Sequence, residues 1–178
     1  MRFYDVNSGE ILIDGHNIQD FTRHDLRKIF AMVLQDTWLY NDTIMANIRY
    51  GRNEATDEEV MWAAKTAHVD HFIRTLSDGY NMILNEEATN VSQGQKQLLT
   101  IARAILADPK ILILDEATSQ LNQNLEDEIL ERLFWLQSPG TLLCITHRLA
   151  VLPAFDRICV LKGGVLVACG TYAEVVSS

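Results

Sequence analysis

Proline and cysteine are scarce in this 178-residue sequence, with three of each. Three cysteines without a CxxC spacing cannot staple a small domain, which excludes a disulfide scaffold. Cys144, Cys159 and Cys169 lie in apolar, strand-like runs and are expected to be buried, reduced thiols of a cytosolic protein. Basic charge is also short: 15 Lys+Arg stand against 24 Asp+Glu, a formal charge of −9 with a pI near 4.9. Such a chain offers no basic face for counterion release, so nucleic acid is excluded as its main partner. Long apolar runs are missing too. Runs such as 111–114 and 165–169 fall far below the ~20 residues that a spanning helix needs. Met1-Arg2 is followed by Phe3-Tyr4-Asp5, not by the apolar stretch of a signal peptide.

What remains is ordinary globular material. At 48% hydrophobic and 22% charged, the chain has enough apolar residues for one cored domain and too many for disorder. Strand and helix signals alternate along it. Residues 10–14 form an expected short strand closed by the turn dipeptide Asp14-Gly15. Residues 25–28 suit one or two helical turns, and 31–34 a short apolar strand. A helical stretch follows from about 43 to 76. Its clearest start is Thr56-Asp57-Glu58-Glu59, a capping box trailed by Val60, Ala63, Ala64 and Ala67 at helical spacing. A second helix opens after Ser92, carries Leu98, Ile101, Ala102 and Ile105 on one face, and stops at Asp108-Pro109. The run 111–114 reads as a strand buried on both faces. Leu125, Ile129, Leu133 and Leu136 mark another helix; strands are expected at 142–145, 158–161 and 165–168, and a short helix near 172–176. The alternation predicts an α/β fold with a mostly parallel sheet flanked by helices. A helical subdomain is expected at about 43–108, with 1–42 and 109–178 forming the core.

Four constellations bear on chemistry. Asp115-Glu116 ends the buried strand, where open α/β sheets place ligands. One carboxylate there suits a hydrated Mg²⁺, which needs few protein ligands, and alternation turns the other toward water or substrate; alternatively both acids simply cap the next helix. Val91-Ser92-Gln93-Gly94-Gln95 precedes the long helix: Ser92 is a good N-cap, and Gly94 permits close backbone approach. The turn is either an anion site of free amides or an ordinary cap. His147, past the strand 142–145, and Gln35, past the strand 31–34, are each ambiguous alone.

Together, in this order, the four resemble the ATP-binding domain of an exporter-type ABC (ATP-binding cassette) transporter, a P-loop NTPase-like fold. Val33-Leu34-Gln35-Asp36-Thr37-Trp38-Leu39 resembles the family's Q-loop, and 90–97 its LSGGQ signature motif. Residues 111–119 resemble the Walker B strand with its following glutamate, and Ile145-Thr146-His147-Arg148-Leu149 the switch-histidine loop. The resemblance spans essentially the whole chain. It implies two such domains, in a homodimer or heterodimer, facing head to tail around two ATP molecules and coupled to transmembrane domains at the cytoplasmic face of the cell membrane. By the same resemblance Asp115 holds Mg²⁺ through water, Glu116 is the general base, and Gln35 touches metal and water. His147 contacts the γ-phosphate, while Ser92, Gly94 and Gln95 serve the partner's ATP. The transported compound is not encoded in these residues.

Three departures from the family pattern stand out. No Gly-x-x-x-x-Gly-Lys-Ser/Thr, and no Gly-Lys pair, occurs. The resemblance thus implies that the chain begins just after the Walker A loop, lacking the N-terminal strands and a central strand between those resembling 142–145 and 158–161. Without that loop's amides and lysine, isolated ATP hydrolysis is expected to be negligible, since comparable charge stabilisation is worth about 10³–10⁵ in rate. A fragment of a longer polypeptide, or one that needs a complementing piece to fold, is expected. Asn122 stands where the family usually has aspartate, which bears on communication between the two ATP sites, and Gln93 replaces a glycine of the signature. The alternative is a non-hydrolytic assembly module that offers its signature motif to a partner's ATP. A DNA-repair or chromosome-associated ATPase of the same superfamily is disfavoured by the acidic charge and the lack of a heptad stretch.

Overall fold

A computed structural model describes residues 1–137 and 140–177 and shows two compact units, Met1–Ile145 and Thr146–Ser178. The first opens with a ribbon, β1 (Leu12–Ile13) and β2 (His16–Asn17), paired antiparallel. Asp14 and Gly15 turn it at φ 50° and 80°, the left-handed pair that a two-residue hairpin demands. The Asp-Gly dipeptide announces this turn in the sequence; the two polar residues of β2 have no alternation to announce a strand. Helix α1 (Arg23–Lys28) starts on Thr22, whose hydroxyl accepts from the Asp25 amide, and leads into β3 (Phe30–Val33).

The expected helical stretch 43–76 is three helices: α2 (Ile44–Arg49), α3 (Asp57–Thr66) and α4 (Asp70–Thr75). The first break falls where Gly51 lies against the backbone of Arg103 and Thr56 adopts the extended geometry of an N-cap. The second falls at His68, in the left-handed region at φ 58°. The capping box Thr56–Glu59 is present as the sequence spells it. Helix α5 (Gln93–Ala107) packs on α2 and α3 through a core that includes Ile44, Ile48, Val60, Leu99 and Ile101, all buried. Full burial of each such side chain contributes about 1.5–3 kcal/mol. Asp108, left-handed at φ 47°, ends α5 before Pro109.

β4 (Ile111–Asp115) is the middle strand of a three-stranded parallel sheet, β3–β4–β5, with β5 at Thr141–Ile145. Val33 sits opposite Leu114, and Asp115 opposite Ile145. Helix α6 (Gln123–Gln137) forms the crossover from β4 to β5. Leu112 and Leu114 are buried, while β5 is the outer strand and leaves Leu143 and Ile145 nearly half exposed.

The second unit holds a separate two-stranded sheet. β6 (Ile158–Lys162) and β7 (Val165–Gly170) form an antiparallel hairpin. Gly163 and Gly164, both at positive φ, join them, and two residues are too few for a parallel crossover. Helix α7 (Tyr172–Val176) follows on a Thr171–Glu174 capping box. The expectation of three buried thiols is also corrected. Cys144 on β5 is half-buried, but Cys159 and Cys169, opposite each other on the hairpin, are exposed.

Candidate functional site

β3 and β4 run parallel and in register, so the residues that follow them emerge at one edge of the sheet. Gln35 comes two residues after β3 and is exposed; Asp115 is the last residue of β4 and Glu116 the next, both half-buried. This carboxyl edge is where open α/β sheets bind ligands. Glu116 has φ 47°, a left-handed conformation for a non-glycine residue. Its N–H donates to the Ile145 carbonyl of β5 at 3.0 Å, and its own carbonyl accepts from the Ser119 amide at 3.1 Å. The backbone thus turns sharply straight after Asp115. Backbone strain of this kind collects at functional sites.

The start of α5 is a closed capping box. Ser92 Oγ accepts from the Gln95 amide at 3.2 Å, and Gln95 Oε1 accepts from the Ser92 amide at 2.7 Å. Accepting leaves the Ser92 hydroxyl proton able to donate outward, beside the first-turn amides at the positive end of a 15-residue helix. A Cβ on Gly94 would lie 3.3 Å from the Gln120 carbonyl, so this turn presses on the loop that leaves β4. Gln93 Nε2 donates to Thr37 Oγ1 at 3.2 Å, joining the same turn to the segment after Gln35. Gln35, Asp115 and Glu116 thus share a sheet edge, and Ser92, Gly94 and Gln95 share a helix start tied to both neighbouring loops. Asn122 is the cap of α6: its Oδ1 accepts from the Leu125 amide at 3.0 Å.

Several residues that organise the site escape sequence reasoning. Asn47, buried on α2, accepts the Tyr40 amide at 2.8 Å and donates to the Tyr40 and Thr43 carbonyls at 3.0 Å each. Arg103 on α5 donates to Asn47 O at 2.8 Å, Asn47 Oδ1 at 3.1 Å and Trp38 O at 3.1 Å, with Tyr40 and Tyr50 against its guanidinium. Burial holds its pKa below the ordinary arginine value. These two side chains moor the loop after Gln35 to α5. Thr118 Oγ1 donates to buried Glu126 at 2.5 Å, stiffening the turn after Glu116. The available signal was a polar residue on an apolar helix face: Asn47 between Ile44 and Ile48, and Arg103 between Ala102 and Ala104.

His147 belongs to the second unit, where it is exposed; the adjacent Arg148 amide donates to Thr146 Oγ1 at 3.0 Å. Among the described residues no three His, Cys, Asp or Glu side chains gather as for a metal cage. Mg²⁺ does not require one: it keeps several waters and takes one or two carboxylates with substrate phosphates. Asp115, with the amide oxygen of Gln35 at the same sheet edge, is a hard-oxygen donor set that fits.

Comparison with known proteins gives a consistent picture. The family model described as ABC transporter matches residues 1–119. An uncharacterized ABC transporter ATP-binding protein of Bacillus subtilis, YfiC, is 49% identical over 175 residues, 98% of this chain and 29% of that protein. A fatty acid ABC transporter ATP-binding/permease protein of Mycobacterium bovis is 47% identical over 177 residues, 99% of this chain and 28% of that protein. The chain thus spans roughly three-tenths of these relatives. Among solved structures, a bacterial Atm1-family ABC exporter with ATP bound superimposes with a TM-score of 0.94 at 40% identity, over 99% of this chain and 31% of that one.

Proposed function

Because the chain belongs to the ABC transporter family, we propose that it is the ATP-binding and ATP-hydrolysing part of an exporter, pairing with a second ATP-binding domain at the cytoplasmic face of a membrane. The observation that carries this reading is the common carboxyl edge of β3 and β4, which collects Gln35, Asp115 and Glu116. There Asp115, with the amide oxygen of Gln35, would hold Mg²⁺. Bound Mg²⁺ would supply charge neutralisation at the phosphates. Glu116 accepts a proton from the attacking water, from a position whose backbone is left-handed. Ser92 and the Gly94 amide donate to the γ-phosphate of the partner's ATP, with Gln95 bracing Ser92 through the capping box. His147 takes the γ-phosphate contact on the strength of its motif. Asn122 keeps the loop between these groups in shape by capping α6.

The helical subdomain at about 43–108 receives the membrane portion. A groove of about 280 Å³ lined by Leu34, Thr37, Trp38, Tyr50, Gly51 and Arg103 opens beside the Gln35 loop, and Trp38 is 61% exposed there. With no Gly-Lys pair of its own, the purified chain hydrolyses ATP negligibly. In the exporter that carries these residues, Glu116→Gln is expected to lower ATP turnover by about 10²–10⁴ while ATP binding persists. Unchanged turnover would remove Glu116 from the role of base.

A further inference from the structure

We propose that Cys159 and Cys169 form a redox modification site, closing reversibly into a disulfide across the β6–β7 hairpin. The two residues are directly opposite in the antiparallel register, and their sulfurs lie 3.3 Å apart, close enough to share an S–H···S hydrogen bond. Both are exposed, so a small oxidant reaches them. Directly opposed residues hold their Cβ atoms about 4.5–5.5 Å apart, whereas a disulfide requires about 3.5–4.5 Å. Closure therefore needs only a slight pinch of two strands. The register shift beside Val160 and Leu161 gives the hairpin a point at which to yield. Exposed disulfides belong to the labile, readily reduced class, which makes this one a reversible mark and not a permanent staple.

The reaction balances with a low-molecular-weight disulfide such as oxidised glutathione as oxidant. One cysteine thiolate attacks a glutathione sulfur and releases the first glutathione thiol. The second cysteine gives up its proton and attacks the mixed disulfide at the protein sulfur, releasing the second. The protein loses two electrons and two protons, and one glutathione disulfide becomes two thiols. Cys144 is the internal control: it lies opposite Leu114 with no cysteine across from it, and burial pushes its thiol up to about 11. The Cys159 thiol is raised too, first by its hydrogen bond with Cys169, so geometry is what sets the pair apart.

The test equilibrates the purified exporter that carries these residues with graded ratios of oxidised to reduced glutathione, blocks remaining thiols with an alkylating agent and digests with trypsin. Cleavage after Arg157 and Lys162 separates the two cysteines into fragments 158–162 and 163–178. The expected result is a linked pair of these fragments, two hydrogens lighter than their sum, from protein that runs as a monomer without reductant. Of Cys144, Cys159 and Cys169 only Cys144 then remains open to alkylation, and the linkage forms at ratios about tenfold or more lower than in concentrated urea. Cys159→Ser is expected to leave Cys169 carrying a single glutathione. Independent glutathione adducts on both cysteines, linkage only between chains, or equal linkage in urea would each overturn the proposal.

Discussion

The side-chain oxygen of Gln97 accepts the backbone amide of Gln120 at 3.2 Å, and Gln97 is fully buried. A residue on the second turn of α5 thus holds the loop that leaves the acidic pair at the end of β4. The two segments meet across 23 positions of sequence, and Gly94 reinforces the contact one turn earlier.

Gln97→Leu preserves volume but removes the acceptor. Leaving a backbone donor without its partner costs about 1–3 kcal/mol. The Gln97 side-chain nitrogen has no partner among the described residues, so leucine also removes an unsatisfied donor, and the net loss should sit near the low end of that range. For a chain of this size that is a fall of about 2–4 °C in Tm per kcal/mol, readable in a thermal melt. An unchanged Tm would mean that the Gln97–Gln120 contact does not hold the loop.

The two glycines that face backbone carbonyls should respond differently to alanine. A Cβ at Gly51 would overlap the Arg103 carbonyl, which lies in the rigid middle of α5, so Gly51→Ala should cost about 1–3 kcal/mol by overpacking. A Cβ at Gly94 would come to 3.3 Å from the Gln120 carbonyl in a loop, which can yield by a few tenths of an ångström. Gly94→Ala should therefore melt within a degree or two of wild type and show its defect in ATP turnover of the assembled exporter. Equal Tm losses in the two variants would contradict this division.

Legibility in the sequence divided along the range of the interactions. Helix starts with a hydroxyl and a reaching Glu or Gln, at Thr56, Ser92 and Thr171, are written in four adjacent residues, and each forms its box. Asp115 and Gln35 were readable because strand ends are local too. The left-handed turn at Glu116 was not, because only glycine advertises positive φ. The antiparallel return of β7 is local as well, since Gly163-Gly164 leaves room only for a two-residue turn. Arg103 and Asn47 left only the trace of a polar residue among apolar ones, because their partnership spans 56 positions and exists only after the helices pack.

Asn122 separates a structural from an electrostatic role. Its Oδ1 caps α6 by accepting from Leu125, and aspartate accepts equally well there. A negative charge at the start of α6 adds about 0.3–1 kcal/mol through the helix dipole, so Asn122→Asp should hold or slightly raise Tm, whereas Asn122→Ala should lose about 1 kcal/mol. Transport assays on Asn122→Asp then report communication between ATP sites free of any folding defect. A drop in Tm for the aspartate variant would show that the cap depends on the amide nitrogen.

Asp70, Arg74 and Tyr80 make stability depend on pH at both ends. Burial would raise the Asp70 pKa, but hydrogen bonds from Arg74, at 2.8 and 3.0 Å, and from Tyr80, at 2.6 Å, outweigh it and hold the carboxyl below its usual range. Its contribution is therefore complete above the ordinary aspartate pKa and is lost as pH falls through the lowered folded value. Tyr80 shifts upward, by burial first and then by its bond to Asp70. That contribution is complete below the ordinary tyrosine pKa and is lost as pH rises beyond it. Asp70→Asn should flatten the acid limb of a Tm-versus-pH profile and weaken the alkaline one, while Tyr80→Phe should act mainly on the alkaline limb.

Glu116 offers the sharpest opposition of fold and chemistry. At φ 47° an L-residue with a Cβ bears a conformational cost of about 1–2 kcal/mol that glycine does not. Against this, glycine raises the entropy of the unfolded chain, by roughly 0.5–1 kcal/mol, and removes whatever the carboxylate contributes to the fold. The backbone bonds from the Glu116 amide to Ile145 and from Ser119 to the Glu116 carbonyl need no side chain and survive the change. Glu116→Gly should thus be neutral to stabilising, moving Tm upward by no more than a few degrees, while Glu116→Gln should leave Tm unchanged. Both should lower ATP turnover in the assembled exporter by about 10²–10⁴. A Tm loss in the glycine variant alone would mean that the carboxylate braces the fold and that its backbone conformation is not held against strain for the sake of catalysis.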